Sequence, residues 1–387
     1  MSTRQATTPG REPGTVRIVA GESRQPKHKR TVEVLIAIGL VLLIAAGAVV
    51  ASAVSRNNDA QASSAAAGPA GELRLGYFGN VTHAPALVGV NKGIIARNLG
   101  ATKLSTQTFN AGPAAIEALN AGAIDATYIG PNPAINSFVK SQGDSVSIIA
   151  GAASGGAQLV VKPEITSAAD LKGKTLASPQ LGGTQDVALR TWLAHQGFKT
   201  TVDGGGDVAI NPTENAQALK LFQDGKIDGA WLPEPWASRL VLQAGAKVLV
   251  DEKELWENGE FSTTVLIVNK KFAAEHPDTV KALLKGHVEA VNWLNEAPAA
   301  EKAGVINAAL KESAGSALAD DVINRALANI TFTMDPLAAT YPKLLQDGID
   351  AGTTKAADLN GLFDLRALNE VTGATGSRHS AAGLGAD

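Results

Sequence analysis

From Glu72 onward, short apolar runs alternate with segments whose apolar positions recur every three or four residues. "ELRLGYF" reads as a strand, the loop "GNVTHA" comes next, and a helix begins at "PALVGVNKG". "KLSTQTFN", "IDATYIG" and "VSIIAGA" are further strands, separated by the helices "AGPAAIEALNAG" and "PNPAINSFVKSQG". A second unit repeats the scheme. "AQLVVKP", "KTLASP", "DVAINP", "IDGAWLP" and "AKVLVDE" are its strands. "SAADLKG", "TQDVALRTWLAHQGF", "TENAQALKLFQDGK" and "PWASRLVLQAG" are its helices. Such alternation predicts an α/β fold with mostly parallel strands. Proline near a first turn and Asn or Thr caps mark the helix starts. "STTVLIVNKKF" is a long strand leading into helical material from Ala273 to about Gly352. There Val280, Leu283, Leu284, Val288, Val291 and Leu294 form one apolar stripe of the kind that packs on a core.

Two stretches match across the units: "GAIDATYIGPNPA" (122–134) and "GKIDGAWLPEPWA" (225–237). Gly122, Ile124, Asp125, Tyr128 and Ile129 align with Gly225, Ile227, Asp228, Trp231 and Leu232. Each comes after an amphipathic helix and ends in a loop with two prolines around a polar residue. The reading is two lobes of like construction, linked near residues 155–163 and 262–271. The lobes are placed at 72–158 plus 268–372 and at 159–267. Loops after buried parallel strands lie at the sheet edge where ligands of open α/β sheets bind. A helix start presents unpaired N–H groups and a partial positive charge. Several starts facing one cleft make an anion site that needs no net positive charge.

Charge and targeting sharpen this. Residues 1–31 hold seven Lys/Arg against two acids, a net +5, so the rest of a −3 chain carries −8. That basic tail is expected to be disordered and cytoplasmic. It precedes an uncharged run, Val34–Val54, of 21 residues, long enough to cross a bilayer as a helix. The basic flank places the residues C-terminal to that run outside the cytoplasm. The segment 32–54 is either an uncleaved anchor or a signal peptide cleaved near "ASA" at 51–53; its length favours the anchor. Residues 55–71 are a flexible linker of small residues, and from Gly373 a loose tail is expected. The chain has no cysteine, which excludes disulfides, thiolate metal sites, cysteine nucleophiles and a lipid-modified N-terminal cysteine.

The stretches "LRLGYFGNVTHAPALVGVNKG", "FNAGPAAIEALNAGAIDATYIGPNPAI", "ADLKGKTLASPQLGGTQDVALRTWL" and "GAWLPEPWASRL" resemble the solute-binding proteins of ABC importers. The branch is that for aliphatic sulfonates, taurine and nitrate, over about residues 72–370; an aliphatic sulfonate is the expected ligand, with taurine, nitrate, a sulfate ester and a thiamine-pyrimidine precursor as alternatives. The resemblance implies a periplasmic-binding-protein type 2 fold: two mixed, mostly parallel sheets flanked by helices, closing on a small anion. It implies a monomer that delivers its solute to a permease and the permease's ATPase, with no cofactor, metal or nucleic acid. It places the ligand among Asn80, Thr82 and His83, Asn132, Gly183, Thr184 and Gln185, and Glu234 and Trp236.

Several of these side chains have a second reading. Thr184 and Asn132 also suit helix caps, and His83 suits a backbone hydrogen bond. Glu234 repels an anion, so it either meets an amine on a zwitterion such as taurine, orients a donor, or faces solvent. Trp231 is either core or, like Trp236, a wall for an organic tail. Arg190 and Arg239 lie on helices that start at the cleft, and a solvated helix face is the simpler assignment. Enzyme readings find little support. The related-fold pyrimidine synthases are implied to use a cysteine-rich signature and iron, and the chain lacks cysteine. There is no nucleophile elbow and no H-E-x-x-H. A sensor ectodomain has no cytoplasmic partner domain here.

Overall fold

The computed structural model describes residues 68–373 and 378–387. The anchor or signal segment and the basic tail lie outside the described residues. Among the described residues no helix is long and apolar enough to cross a membrane.

In chain order the first stretch holds β1 (Glu72–Phe78), α1 (Ala84–Asn91), α2 (Ile94–Leu99), β2 (Lys103–Phe109), α3 (Gly112–Asn120), β3 (Ala126–Ile129), α4 (Pro131–Lys140) and β4 (Val146–Gly155). The middle stretch holds β5 (Ala157–Val161), β6 (Thr175–Ser178), α5 (Thr184–His195), β7 (Ala209–Pro212), α6 (Asn215–Gln223), β8 (Gly229–Pro233), α7 (Trp236–Ala244) and β9 (Lys247–Asp251). The last stretch holds β10 (Ser262–Asn269), α8 (Lys270–Glu275), α9 (Pro277–Glu296), α10 (Ala299–Ala314), α11 (Asp320–Ala328), β11 (Ile330–Phe332), α12 (Tyr341–Asp350), β12 (Phe363–Asp364), α13 (Arg366–Thr372) and β13 (Gly385–Ala386).

These strands form two mixed sheets. One has the order β13-β12-β4-β10-β3-β1-β2, with β11 also on β4; the other runs β7-β6-β8-β5-β9. The chain leaves the first sheet at Gly155 and enters the second at Ala157, so the crossing is Gly156. Gly155 and Gly156 both have positive φ (75° and 74°), and a Cβ on either would strike Asn329 or Ile330. Only glycine fits that reversal. The return differs from expectation: all of Ser262–Asn269 pairs with β3 and β4 in the first sheet. The expected loose tail also differs, because Gly385–Ala386 pairs with Phe363–Asp364 and Ala381 is fully buried.

The matching stretches do the same physical work in each sheet. Asp125 accepts the N–H of Arg74 at 2.8 Å and the Arg74 guanidinium besides; Asp228 accepts the N–H of Thr175 at 2.9 Å and the Lys162 ammonium at 2.8 Å. Each aspartate thereby pins its strand, β3 or β8, to a parallel neighbour, β1 or β6. Strand periodicity then sorts the side chains. Leu159, Val161 and Trp231 pack on one face of the second sheet, and Val160, Ala230 and Leu232 on the other. The expected stripe on α9 buries Val280, Leu283, Leu284, Val291 and Leu294 against the first sheet's core, with Val288 at its margin. Each fully buried leucine contributes about 2 kcal/mol.

Trp231 is core: it is fully buried, and its Nε1 donates to Glu252 at 2.7 Å. Burial raises the Glu252 carboxyl to about 7 against the bond from Trp231. The folded state therefore holds a proton that the unfolded chain releases near pH 4.5, and the contribution of Glu252 to stability falls as pH rises from 4.5 to 7. Against Glu252→Gln, which cannot titrate, urea unfolding is expected to show the wild type losing about 3 kcal/mol across that window; a flat difference would show Glu252 ionised in the fold. Sterics give a second expectation. A Cβ on Gly151 would lie 2.1 Å from the Asp335 carbonyl oxygen, whereas exposed Gly304 in α10 has open space around it. Gly151→Ala should cost about 2 kcal/mol or more, and Gly304→Ala should add about 1 kcal/mol, both read by denaturant midpoints.

Candidate functional site

Four helices begin at one crevice between the two sheets' loops. Asn110, Ala111 and Gly112 bring the start of α3; Gly130 and Pro133 bring that of α4; Gly183, Thr184 and Gln185 bring that of α5; Asn215 brings that of α6. The residues before these helices are Ala111, Gly130, Gly183 and Glu214, and none gives its helix a side-chain cap. The first-turn N–H groups are therefore not capped by the preceding side chains, although Pro113, Pro131 and Pro133 carry no N–H, and the positive ends of four dipoles meet in one place.

The crevice encloses about 30 Å³, and among the described residues no Lys, Arg, Asp or Glu lines it. Its side-chain donors are neutral: Thr82, Thr184, Thr263, Thr264 and His83 among them. The hydroxyls of Thr184 and Thr264 are buried without a hydrogen-bond partner, as is the Asn215 carbonyl oxygen. A buried polar atom left so costs on the order of 1–3 kcal/mol. His83 is stacked on Phe78 at 4.3 Å, and its Nδ1 accepts the Phe78 N–H at 3.3 Å. Burial lowers its pKa to about 3. The ring is thus neutral, with its proton on Nε2. The lobes meet closely here: a Cβ on Gly130 would lie 2.3 Å from Thr184 Oγ1.

An outer chamber of about 200 Å³ adjoins this crevice and shares Asn80, Asn110 and Asn215 with it. Trp236 and Arg239 line it, and Trp236 Nε1 donates to Asn80 Oδ1 at 2.8 Å across the lobes.

Residues 66–308 match the profile of the NMT1-like family. The chain belongs to that family. Its relatives include the taurine-binding periplasmic protein of Escherichia coli strain K12, 30% identical over 53% of this chain and 62% of that one. They also include a putative aliphatic sulfonates-binding protein of the same strain, 30% identical over 49% of this chain and 57% of its own length. The chain thus spans about three-fifths of the length of these curated relatives. Among solved structures, the alkanesulfonate-binding protein SsuA of Xanthomonas axonopodis pv. citri bound to MOPS has the same fold, with TM-score 0.61 and 21% identity over 74% of this chain and 95% of that one.

Measured on this member of the NMT1-like family, the nine expected ligand residues divide. Asn80, Thr82, His83, Gly183, Thr184 and Gln185 line the inner crevice, and Trp236 lines the outer chamber. Asn132 does not line it. Its loop does, but its side chain turns back to donate to the Leu344 carbonyl of α12 at 3.2 Å, with Oδ1 unpartnered. Glu234 is fully buried and also turned away from both chambers. Its carboxylate accepts Asn329 Nδ2 at 2.7 Å, Arg325 Nη1 at 3.1 Å and the Ser238 N–H at 3.0 Å, while its backbone oxygen accepts the Val81 N–H at 3.1 Å. Neither an amine site nor a solvent-facing position describes it; it ties α11, α7 and the β1–α1 loop together. Arg190 is not on a solvated face either. It is 2% exposed and pairs with Asp186, which is 0% exposed, at 2.9 Å. Sequence reasoning passed over Asn110, Asn215, Thr263 and Thr264. Asn110 and Asn215 sit beside helix starts that the helical pattern had already located; the two threonines open β10, where nothing in the pattern distinguishes crevice from core.

Glu234→Ala leaves Arg325 and Asn329 without their shared acceptor. A loss of about 3 kcal/mol in denaturant unfolding is expected, with the same ranking of ligands as wild type; a changed ranking would place Glu234 in the ligand's reach.

Proposed function

We propose that the chain is the extracytoplasmic solute-binding component of an ABC importer, which closes two lobes on a small organic anion of the aliphatic sulfonate class and catalyses no reaction. The solute passes to a permease and its ATPase, and the segment around Val34–Val54 tethers the monomer to the membrane. The observation that carries this is the meeting of four uncapped helix starts in a crevice with no charged side chain among the described residues. Sulfonate oxygens are weak acceptors in a fixed fan. Backbone N–H groups, threonine hydroxyls and a neutral imidazole N–H suit them without the desolvation cost of a buried cation. A taurine-binding and a sulfonates-binding relative agree in kind. The inner volume of about 30 Å³ fits an oxyanion head rather than a whole organic solute. It also favours a second reading, nitrate, which needs no room beyond it.

The test is calorimetric titration and thermal shift of the full-length chain with ethanesulfonate, taurine, nitrate, a neutral sugar and a cationic amine. Binding to the folded state raises the melting temperature by mass action. A sulfonate is expected to bind, and Thr184→Val to weaken it about tenfold or more. With His83 titrating near 3, the affinity should be flat from pH 5 to 8. Stabilisation by nitrate alone would select the second reading; a response only to the neutral or cationic solute would reject both.

A further inference from the structure

The outer chamber holds a cation with no ion-pair partner among the described residues. Arg239 rises from α7 to stack its guanidinium on the Trp236 ring at 4.6 Å, and its Nε donates to Gln243 Oε1 at 3.1 Å. Among the described residues no carboxylate lies within ion-pairing distance of it. The residue is only partly exposed, and burial lowers its pKa. Partial desolvation of an unpaired cation is unfavourable unless something negative arrives. The stacked, planar fork is held ready for a carboxylate or another oxyanion.

Its surroundings suit the remote end of an organic guest. Phe109, Leu310, Leu318 and Trp236 give the chamber apolar walls. Its volume of about 200 Å³ is several times that of the inner crevice, and the two share three asparagine walls. Glu214 is the opposing feature, since it lines the same chamber. It is exposed, however, and its Oε1 already accepts Asn110 Nδ2 at 3.0 Å. A solvated carboxylate is screened far more than a half-buried guanidinium, so the field in the chamber follows Arg239.

We infer that Arg239 and Trp236 form a second anion subsite, so that the preferred guest is a dianion: an oxyanion head in the inner crevice and a carboxylate or similar group at the guanidinium, joined by a short carbon chain. This rests on the anion-binding reading of the crevice and narrows its substrate class.

The experiment is titration calorimetry on the full-length chain with taurine and with pairs of equal chain length, ethanesulfonate against sulfoacetate and propanesulfonate against 3-sulfopropionate, in wild type and in Arg239→Gln. At least a tenfold preference for one dianion over its monoanion is expected in wild type. In Arg239→Gln the preference should vanish, with dianion affinity falling to that of the monoanion. Arg239→Lys should keep part of it, because charge remains and the fork is lost. Equal affinity for mono- and dianion in wild type overturns the inference and leaves the sulfonate reading standing. So does a preference for taurine over the dianion, which would give the chamber to Glu214. Failure of every sulfonate to bind removes both. The wild-type comparison needs no variant to fold.

Discussion

Glu234 is where the molecule is held together across its seam. One carboxylate gathers donors from α11 and α7, and the same residue's backbone oxygen receives Val81 from the β1–α1 loop. Its flanking prolines face opposite ways in function: Pro233 borders the inner crevice and Pro235 the outer chamber. The position of the loop, and so the division of the cleft into two rooms, follows from a buried carboxyl group that lines neither of them. Breaking such a cluster costs more than making it gains, because the remaining partners stay desolvated. Its value here is geometric.

On the proposed reading, the inner room would accommodate a negative guest in a domain that is itself acidic. A buried lysine or arginine would need a permanent counter-charge whenever the crevice is empty. Helix starts do not, since their partial charges belong to the backbone and are already balanced along each helix. Ala111, Gly130 and Gly183 precede three of the helices and offer no side-chain oxygen to the N–H groups beyond. Gly130 has a further reason to lack a side chain, because the Thr184 hydroxyl of the opposite lobe occupies the space a methyl group would take. The outer room obeys a different rule, with one cation on an aromatic face.

Much of the scaffold was legible in the sequence. The Gly-x-Ile-Asp turns announced two like units because aspartate at that point accepts the neighbouring strand's N–H, a requirement set by backbone geometry. Prolines one or two residues into α1, α3 and α4 marked helix starts for the same kind of local reason. What stayed hidden depended on distant partners. Ile330–Phe332, Phe363–Asp364 and Gly385–Ala386 are too short to show a period, and they are strands only because β4 and one another supply the pairing. Asn132 and Glu234 adjoin residues that line the crevice, yet their side chains answer to Leu344, Arg325 and Asn329, more than ninety positions later in the chain. Arg190 could not be told from a surface arginine, because its i, i+4 spacing to Asp186 suits an exposed helix face equally well and the Thr201 carbonyl meets it only in three dimensions.

The neutrality of the inner crevice has an electrical consequence. Among the described residues no ionisable lysine, arginine or carboxylate borders it, and its histidine does not titrate near neutrality. On the proposed reading, an anion seated there would bring its charge uncompensated, with no bordering ionisable group to take up or release a proton. The loaded form would then be more negative than the empty one by the valence of the bound anion, and the two would migrate as separate species in a native electrophoretic field.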